Sequence, residues 1–310
     1  AGPQRRKAVG DNAPGARGGV NALTATVYLN GAFVSEQEAH VSVYDGGWLH
    51  GAGLFETMRA EGGRVFRLES HLERLRRSAN AILTPMERSD LPDATVFQEL
   101  LARNDLNEAR VRMTVSAGSM READEGDERR LTVCATASPL SGYPAELYDR
   151  GVHAAVCDFR QSTSDPLAGH KSTAHLPRLL GLRQAQQKHC LEAIWFTTGN
   201  ELAEGSISNV FVVRGGVLKT PPLDTPVLPG IARELVLQIA SDCSIECEQC
   251  PLSIDDLLDA DEVLLTNAIM QVMPVVRVEK HDIGQGRVGP IGKRLYQEYR
   301  NRVQQECAQA

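Results

Sequence analysis

The second half of the chain alternates short apolar strands with helices, and this pattern restricts the fold more than any other feature. Strands are predicted over 152–157, 193–197, 210–213, 217–219 and 263–266. Helices are predicted over 176–187 and from Gly230 onward, and a last helix carries Ile291, Leu295, Tyr299 and Val303 at four-residue spacing. Alternation of this kind is typical of a mixed sheet or barrel. We therefore predict an α/β (α+β) fold.

The first half predicts a smaller α/β domain that opens with a meander. Asn30-Gly31 separates two apolar segments, which is the strongest short-range signal for a hairpin. Ser70 to Glu73 matches a capping box, so a helix is expected to start there. Further predicted elements are a strand over 41–43, a glycine-rich turn over 46–53, paired strands over 54–59 and 65–68, a helix over 95–103 and a strand over 110–115.

Changes in composition indicate the domain boundaries. Residues 1–25 are rich in Gly, Ala, Arg and Pro without a hydrophobic period, so a disordered tail is expected. A Pro/Gly/Ser cluster over 138–144 is the best boundary in the sequence. The predicted division is a small domain over 26–137, a linker over 138–148 and a larger domain over 149–310.

The composition favours a protein that acts on small molecules. The chain is 42% hydrophobic and 24% charged, and its net charge of −7 argues against a general affinity for nucleic acid or for anionic membranes. No apolar run approaches the roughly 18 residues that span a bilayer, and the N-terminus lacks the apolar core of a secretion signal, so a cytoplasmic location is expected. The seven cysteines lack the spacing of a zinc finger, so no metal site is expected.

Lysine is scarce, and only one lysine lies at an interior junction. The chain has six lysines among 33 basic residues, and five of them fall in the tail, at helix ends or polar faces, or beside turns. Lys171 instead lies between a loop and the helix predicted over 176–187. A buried amine of this kind can form an imine with an aldehyde and can then carry a proton. A surface lysine is the alternative.

Three features of the segment 170–233 suit a phosphorylated pyridine ring. Such a cofactor needs an amine for its aldehyde, an anion for its ring nitrogen and backbone donors for its phosphate. Lys171 offers the amine and Glu204 the anion, and Gly230-Ile231 at a helix start offers free N–H groups. Pyridoxal 5'-phosphate is therefore a candidate cofactor for this segment. The alternative for Glu204 is an exposed turn.

Spacing alone leaves other candidate residues open. Arg74 lies off the apolar stripe of its helix, which favours a solvated arginine. Arg112 alternates with apolar residues on a strand, where it either binds a substrate carboxylate or faces solvent. Asn267 and Ala268 end an apolar strand and provide either phosphate donors or an ordinary turn.

Several motifs together resemble one family, the class IV aminotransferases, which are fold-type IV pyridoxal-phosphate enzymes. The most specific is Glu-Gly-Ser-Ile-Ser-Asn-Val-Phe over 204–211. The others are Phe-Glu-Thr-Met-Arg over 55–59, His-Leu-Glu-Arg-Leu over 71–75, His-Lys-Ser over 170–172, Leu-Pro-Gly-Ile-Ala-Arg over 228–233 and Thr-Asn-Ala over 266–268. They occur in the family's order and spacing from about residue 27 to about residue 300.

The resemblance implies roles for individual residues. Lys171 would be the Schiff-base lysine, Glu204 the partner of the pyridine nitrogen and Arg74 a phosphate ligand. The remaining residues expected to bind the cofactor are Ser208, Asn209, Gly230, Ile231, Ala232, Asn267 and Ala268. The resemblance also implies two domains with the cofactor between them, and a homodimer that completes each substrate pocket.

The chain departs from the family pattern at four positions. Ala174 and His175 stand where relatives often have asparagine and an aromatic residue or leucine, and Trp48 and His50 stand where relatives often have tyrosine. Trp48, His50 and His175 are therefore candidate substrate contacts. Arg112, on its predicted strand, is the fourth candidate.

Three activities share this scaffold: branched-chain aminotransferase, D-amino-acid aminotransferase and aminodeoxychorismate lyase. We interpret the chain as an aminotransferase that moves an amino group between an amino acid and a 2-oxo acid. The alternative is the lyase, which acts in the synthesis of 4-aminobenzoate and folate, because the strand over 54–59 and the segment 220–224 look lyase-like. A binding protein that has kept the fold without the chemistry is a second alternative.

Overall fold

The computed structural model describes residues 24–121 and 131–309. Residues 1–23 of the tail predicted over 1–25 lie outside the described residues. Within the described ranges, no helix is both long enough and apolar enough to cross a membrane. The same ranges contain no cluster of His, Cys, Asp or Glu side chains that could hold a metal ion.

The strands of the first sheet are β1 (Thr26–Leu29), β2 (Ala32–Ser35), β3 (Gly53–Glu61), β4 (Arg64–Val65), β5 (Ala109–Ser116) and β6 (Thr132–Pro139). They pair antiparallel in the order β2-β1-β6-β5-β3-β4. Its helices are α1 (Gly46–His50), α2 (Leu68–Ile82) and α3 (Ala94–Arg103), with a short 3₁₀ helix at Arg88–Asp90. The hairpin at Asn30-Gly31 is confirmed, because Leu29 pairs with Ala32.

The strands of the second sheet are β7 (Val152–Gln161), β8 (Glu192–Thr197), β9 (Leu202–Gly205), β10 (Asn209–Arg214), β11 (Val217–Thr220), β12 (Cys247–Gln249), β13 (Glu262–Asn267), β14 (Gln271–Val278) and β15 (His281–Asp282). Eight of these nine strands lie in the order β12-β11-β10-β13-β14-β7-β8-β9, and β15 pairs with β14. Strand β7 runs parallel to both β8 and β14, whereas most other pairs are antiparallel. The predicted mixed sheet is confirmed.

The helices of this half are α4 (Ala145–Arg150), α5 (Leu176–Gln187), α6 (Ile231–Asp242), α7 (Ile254–Leu258) and α8 (Pro290–Gln309). The four-residue spacing in α8 is explained by burial, because Leu295, Tyr299 and Val303 pack with α6 and the strands of the sheet. Phe66, which follows β4, lies in the same cluster. This contact attaches the first sheet to the second half of the chain.

Four local predictions in the first half are wrong. The strand predicted over 65–68 is shorter and earlier in the structure, because β4 covers only Arg64–Val65 and residue 68 already begins helix α2. Residues 41–43 form no strand, and Val41 and Val43 are exposed. The glycine-rich segment after them contains helix α1, which Asp45 caps by accepting from the Gly47 N–H. Helix α2 starts at Leu68 rather than at the capping box, because the chain leaves β4 through Arg67 in a left-handed conformation.

Candidate active site

A cavity of about 1060 Å³ is lined by residues from both sheets. Strands β3 and β5 contribute Phe55, Thr57 and Arg112 to its wall, and the second half contributes the segment 167–172 and the starts of α5 and α6. A volume of this size suits a cofactor together with a small substrate. The cavity is therefore the candidate active site.

Lys171 is held against β3 by backbone hydrogen bonds. The Phe55 N–H donates to the Lys171 carbonyl at 2.9 Å, and the Thr173 N–H donates to the Gly53 carbonyl at 2.8 Å. The Lys171 Nζ lies 4.7 Å from the centre of the Phe55 ring. Burial and the nearby Arg74 charge lower the pKa of Lys171 to about 8. A sizeable fraction of this amine is neutral near pH 8, as a nucleophile requires.

Glu204, near the end of β9, is a buried carboxylate with two donors. Its Oε1 accepts from Arg178 Nη2 at 2.7 Å, and its Oε2 accepts from the Leu228 N–H at 2.9 Å. Burial raises the pKa of Glu204, and the charge of Arg178 opposes that rise. The exposed turn that the sequence also allowed is therefore excluded.

Arg74 is buried rather than solvated, because it forms a bidentate ion pair with Glu56 of β3. Its Nε donates to Glu56 Oε1 at 2.8 Å and its Nη2 to Glu56 Oε2 at 2.5 Å, while His71 Nδ1 lies 2.8 Å from the same Oε2. Burial raises the pKa of Glu56, but Arg74 and His71 outweigh that effect and lower it to about 2. The Arg74 Nη1 also donates to the Pro229 carbonyl at 3.1 Å, which directs the guanidinium towards the start of α6.

The N-terminus of α6 forms part of the cavity wall. Gly230 is the N-cap residue, and no side chain caps the first turn. The first N–H groups of a helix lack intrahelical partners, so those of Ile231 and Ala232 are available to an anion. A Cβ added at Gly230 would lie 2.0 Å from Asn209 Oδ1, so the close approach of these two chains requires glycine.

The other expected cofactor-binding residues also line the cavity, although several of their side chains have protein partners. Ser208 Oγ donates to Glu192 Oε2 at 2.8 Å, Asn209 Nδ2 donates to the Leu228 carbonyl at 2.9 Å, and Asn267 Nδ2 donates to the Ile207 carbonyl at 3.0 Å. Thr266 Oγ1, beside Asn267, is buried and has no hydrogen-bond partner among the described residues. A ligand with acceptor oxygens would satisfy it.

Two of the candidate substrate contacts lie against Phe55, the ring that the Lys171 amine also contacts. The Arg112 guanidinium stacks 3.9 Å from the centre of the Phe55 ring, and the His175 ring meets the same ring edge-on at 5.5 Å. Burial, together with the Lys171 charge, lowers the pKa of His175 to about 4, so this imidazole is neutral at physiological pH.

Trp48 and His50, on α1, do not line the cavity of their own chain. The Trp48 side chain is 76% exposed. The structure therefore separates these two residues from the other candidate substrate contacts.

Sequence reasoning missed Arg178, Glu192 and the role of Glu56. Glu192 is fully buried and accepts hydrogen bonds from the N–H groups of Ala193, Ser206 and Ile207, which fixes the turn after Glu204. The sequence did contain a signal for Arg178, which lies in the first turn of the predicted helix over 176–187. A cation there is repelled by the helix dipole, so its presence predicts a nearby anion.

A sequence model of the family described as "Amino-transferase class IV" matches residues 53–278, which include every cavity residue described above. The chain belongs to this family. It is 35% identical over 282 residues to a putative branched-chain-amino-acid aminotransferase from Methanocaldococcus jannaschii, covering 89% of this chain and 95% of that relative. It is 31% identical over 264 residues to the aminodeoxychorismate lyase of Bacillus subtilis, covering 83% of this chain and 88% of the lyase.

Solved structures of the family share the fold. The T.th. branched-chain amino acid aminotransferase solved with pyridoxamine 5'-phosphate superposes with a TM-score of 0.80 at 26% identity, covering 91% of this chain and 94% of that one. Class IV aminotransferases are pyridoxal-phosphate enzymes. This chain is accordingly a pyridoxal-phosphate enzyme of the class IV aminotransferase family, which implies an amino acid and a 2-oxo acid as substrates.

The cavity fits this cofactor. It presents a lysine amine, a buried carboxylate and a helix N-terminus to one space, and the unpartnered hydroxyl of Thr266 lies in the wall of the same space. These are the groups that a phosphorylated pyridine aldehyde requires.

Proposed function

We propose that this aminotransferase works through Lys171 and Glu204 and that it binds the carboxylate of its substrate at Arg112. The observation that carries the proposal is the arrangement around Phe55, where the Lys171 amine and the Arg112 guanidinium lie over one aromatic ring. An amino acid whose carboxylate pairs with Arg112 would have its amino group and α-carbon within reach of Lys171.

The cavity residues would hold the cofactor at three places. Lys171 would attach the aldehyde, and Glu204 would pair with the ring nitrogen. The phosphate would lie at the N–H groups of Gly230, Ile231 and Ala232, with Arg74 beside them. Thr266, Asn267 and Ala268 would complete the phosphate site, and Ser208 and Asn209 would shape it through the turn before β10. When bound, pyridoxal phosphate supplies an aldehyde that exchanges amines and a ring that stabilises negative charge on the substrate α-carbon.

Lys171 would also transfer the proton. Its lowered pKa of about 8 provides neutral Nζ, which would accept the α-proton of the amino acid in one half of the exchange and would donate a proton to the α-carbon of the 2-oxo acid in the other half. Neutral His175 beside Phe55 would contact the substrate without adding charge to a site that already holds Arg112 and Lys171.

Lys171→Ala tests the proposal directly. The wild-type protein should bind pyridoxal phosphate with the yellow colour of an imine, and the variant should lose this colour and at least ~10³-fold of its transamination rate. The control is Lys188→Ala, because Lys188 is an exposed lysine paired with Glu279 on the surface. Transamination by a Lys171→Ala protein at a rate near that of the control would refute the proposal.

The second candidate function is aminodeoxychorismate lyase, which the 31% identity to the Bacillus subtilis lyase favours. Arg110 lines the cavity two residues from Arg112, so two cations are available to a substrate with two carboxylates. Release of pyruvate from aminodeoxychorismate without an added 2-oxo acid would select the lyase. An obligatory amino acceptor would select the aminotransferase.

We further propose that two chains form a homodimer and that the two sheets belong to separate domains. The exposed apolar residues Val41, Val43, Trp48 and Leu49 support a partner-facing surface on and before α1. On this proposal, Trp48 and His50 would contact the substrate in the cavity of the partner. The division into 26–137, 138–148 and 149–310 is supported by the irregular segment 140–144, which separates β6 from α4.

A further inference from the structure

Arg178 lies in the first turn of α5 and holds two buried acceptors in the cavity wall. Its Nη2 donates to Glu204 Oε1 at 2.7 Å and to Gln161 Oε1 at 2.8 Å. Its guanidinium carbon lies 4.4 Å from the centre of the Trp195 ring. Trp195 is fixed in turn, because its Nε1 donates to Ser206 Oγ at 2.9 Å.

The position of Arg178 is unfavourable for a cation unless an anion pairs with it. The first turn of a helix carries partial positive charge, and the surroundings remove much of the water that would solvate the guanidinium. Its Nη1 is buried without a hydrogen-bond partner among the described residues. Hydrogen bonding alone therefore does not account for the position of this side chain. The ion pair with Glu204 is therefore the interaction that explains why the arginine lies here.

The charged groups that act on Glu204 are Arg178 from α5 and Lys171 from the segment before that helix. Burial favours the neutral acid, and both cations favour the carboxylate. The charge of Lys171 is lost when its amine is neutral, whereas a guanidinium stays charged at all relevant pH values. Arg178 is therefore the permanent counter-ion of Glu204.

We propose that Arg178 is a positioning residue that keeps Glu204 ionised and oriented, and that it thereby extends cofactor binding to lower pH. The proposal rests on the proposed role of Glu204 as the partner of the pyridine nitrogen. A neutral Glu204 would be unable to stabilise a protonated ring nitrogen, so loss of Arg178 should weaken cofactor binding most where Glu204 becomes protonated.

The test compares Arg178→Met, which removes the charge, with Arg178→Lys, which retains it. The dissociation constant for pyridoxal phosphate is measured by absorption of the bound cofactor between pH 6 and pH 9, and thermal unfolding of the apoprotein is measured in parallel. We expect Arg178→Met to weaken binding at least tenfold at pH 6 and by less at pH 9, with Arg178→Lys close to wild type. Arg183→Ala, on the exposed face of the same helix, is the matched control.

Glu204→Gln separates this role from a structural one. If Arg178 acts through Glu204, adding Arg178→Met to Glu204→Gln should change the dissociation constant less than twofold. Independent effects of the two substitutions, or an Arg178→Met defect of equal size at every pH, would overturn the inference. Arg178→Gln, which keeps a side-chain donor but not the charge, replaces Arg178→Met if that variant folds poorly, with the same expected pH dependence.

The failure of the proposed function has a different signature. Normal cofactor binding and absorption by Glu204→Gln would overturn the role of Glu204 and, with it, the inference. Weak binding by Glu204→Gln together with normal binding by Arg178→Met at pH 6 would overturn the inference alone.

Discussion

At the scale of single residues, Glu56 organises the part of the first sheet that faces the cavity. It is 1% exposed and accepts hydrogen bonds from Arg74, with His71 at the same carboxylate. A buried charge of this kind is tolerated only when it is paired, and removal of one partner leaves the other charge uncompensated. Arg74, which also contacts the Pro229 carbonyl beside the helix α6 N-terminus, therefore depends on Glu56 for its position.

We expect Glu56→Gln to lower the free energy of unfolding by about 3 kcal/mol at pH 7, because Arg74 loses its counter-ion. The folded-state pKa of Glu56 is lowered from 4.5 to about 2, so its contribution is complete above pH 4.5 and is lost as the pH falls towards 2. Urea unfolding at pH 7, 5, 4 and 3 should show a difference between wild type and variant that shrinks below pH 4.5.

The control for this prediction is Glu69→Gln, whose ion pair with Arg88 lies on the surface. Exposed pairs contribute about 0–1 kcal/mol, so this variant should unfold almost as the wild type does at pH 7. Equal stabilities of the Glu56 and Glu69 variants at pH 7 would show that the buried pair contributes no more than a surface pair.

At the scale of secondary-structure elements, helix α6 matters for its first turn as well as for its apolar face. Leu235, Val236 and Ile239 bury that face against the sheet and α8. The packing fixes the helix so that its uncapped N-terminus opens into the cavity beside Gly230. On our proposal, the direction of this helix places its free N–H groups where the cofactor phosphate would bind.

We expect Gly230→Ala to weaken pyridoxal phosphate binding about tenfold, because the new methyl group would lie 2.0 Å from Asn209 Oδ1 and displace the first turn of the helix. Overpacking of this kind should also lower the free energy of unfolding by about 1–3 kcal/mol. The dissociation constant from cofactor absorption is the measurement.

Gly199→Ala is the matched control, since a Cβ there would meet only Thr197 Oγ1 at an ordinary 3.5 Å. This variant should bind the cofactor as the wild type does. Unchanged cofactor affinity in Gly230→Ala would mean that the phosphate does not bind at this helix.

At the scale of the whole molecule, the proposed homodimer determines whether one chain contains a complete site. We expect Trp48→Asp to convert a dimer into a monomer and to reduce activity at least tenfold, because a charge replaces a 76% exposed indole on the proposed contact surface. Sedimentation velocity and transamination assays at equal protein concentration would measure both effects. Leu223→Asp, at another exposed apolar residue, should remain dimeric and active. A dimeric, fully active Trp48→Asp protein would contradict the proposed surface.

Local sequence patterns predicted the elements whose formation depends on near neighbours. The Asn30-Gly31 hairpin, α5 and the apolar stripe of α8 follow from turn chemistry and helical period. The start of α2 and the segment 41–43 were mispredicted. Residues 41–43 pair with no strand of either described sheet, and the chain enters α2 through a left-handed Arg67, three residues before Ser70 of the capping box. Motif spacing likewise selected Lys171, Glu204 and Gly230, which the fold brings to one cavity.

By itself, the sequence determined the α/β class, the family resemblance and the choice of Lys171 as the candidate reactive amine, because these depend on residue type, spacing and order along the chain. Only the tertiary structure decided that Arg74 is buried on Glu56, that Arg178 pairs with Glu204, and that Trp48 is exposed and does not line the cavity of its own chain. The physical reason is that charge pairing and burial depend on groups that are distant in sequence. Glu204 and Arg178 are 26 residues apart, Arg74 and Pro229 are 155 apart, and no local periodicity reports such contacts.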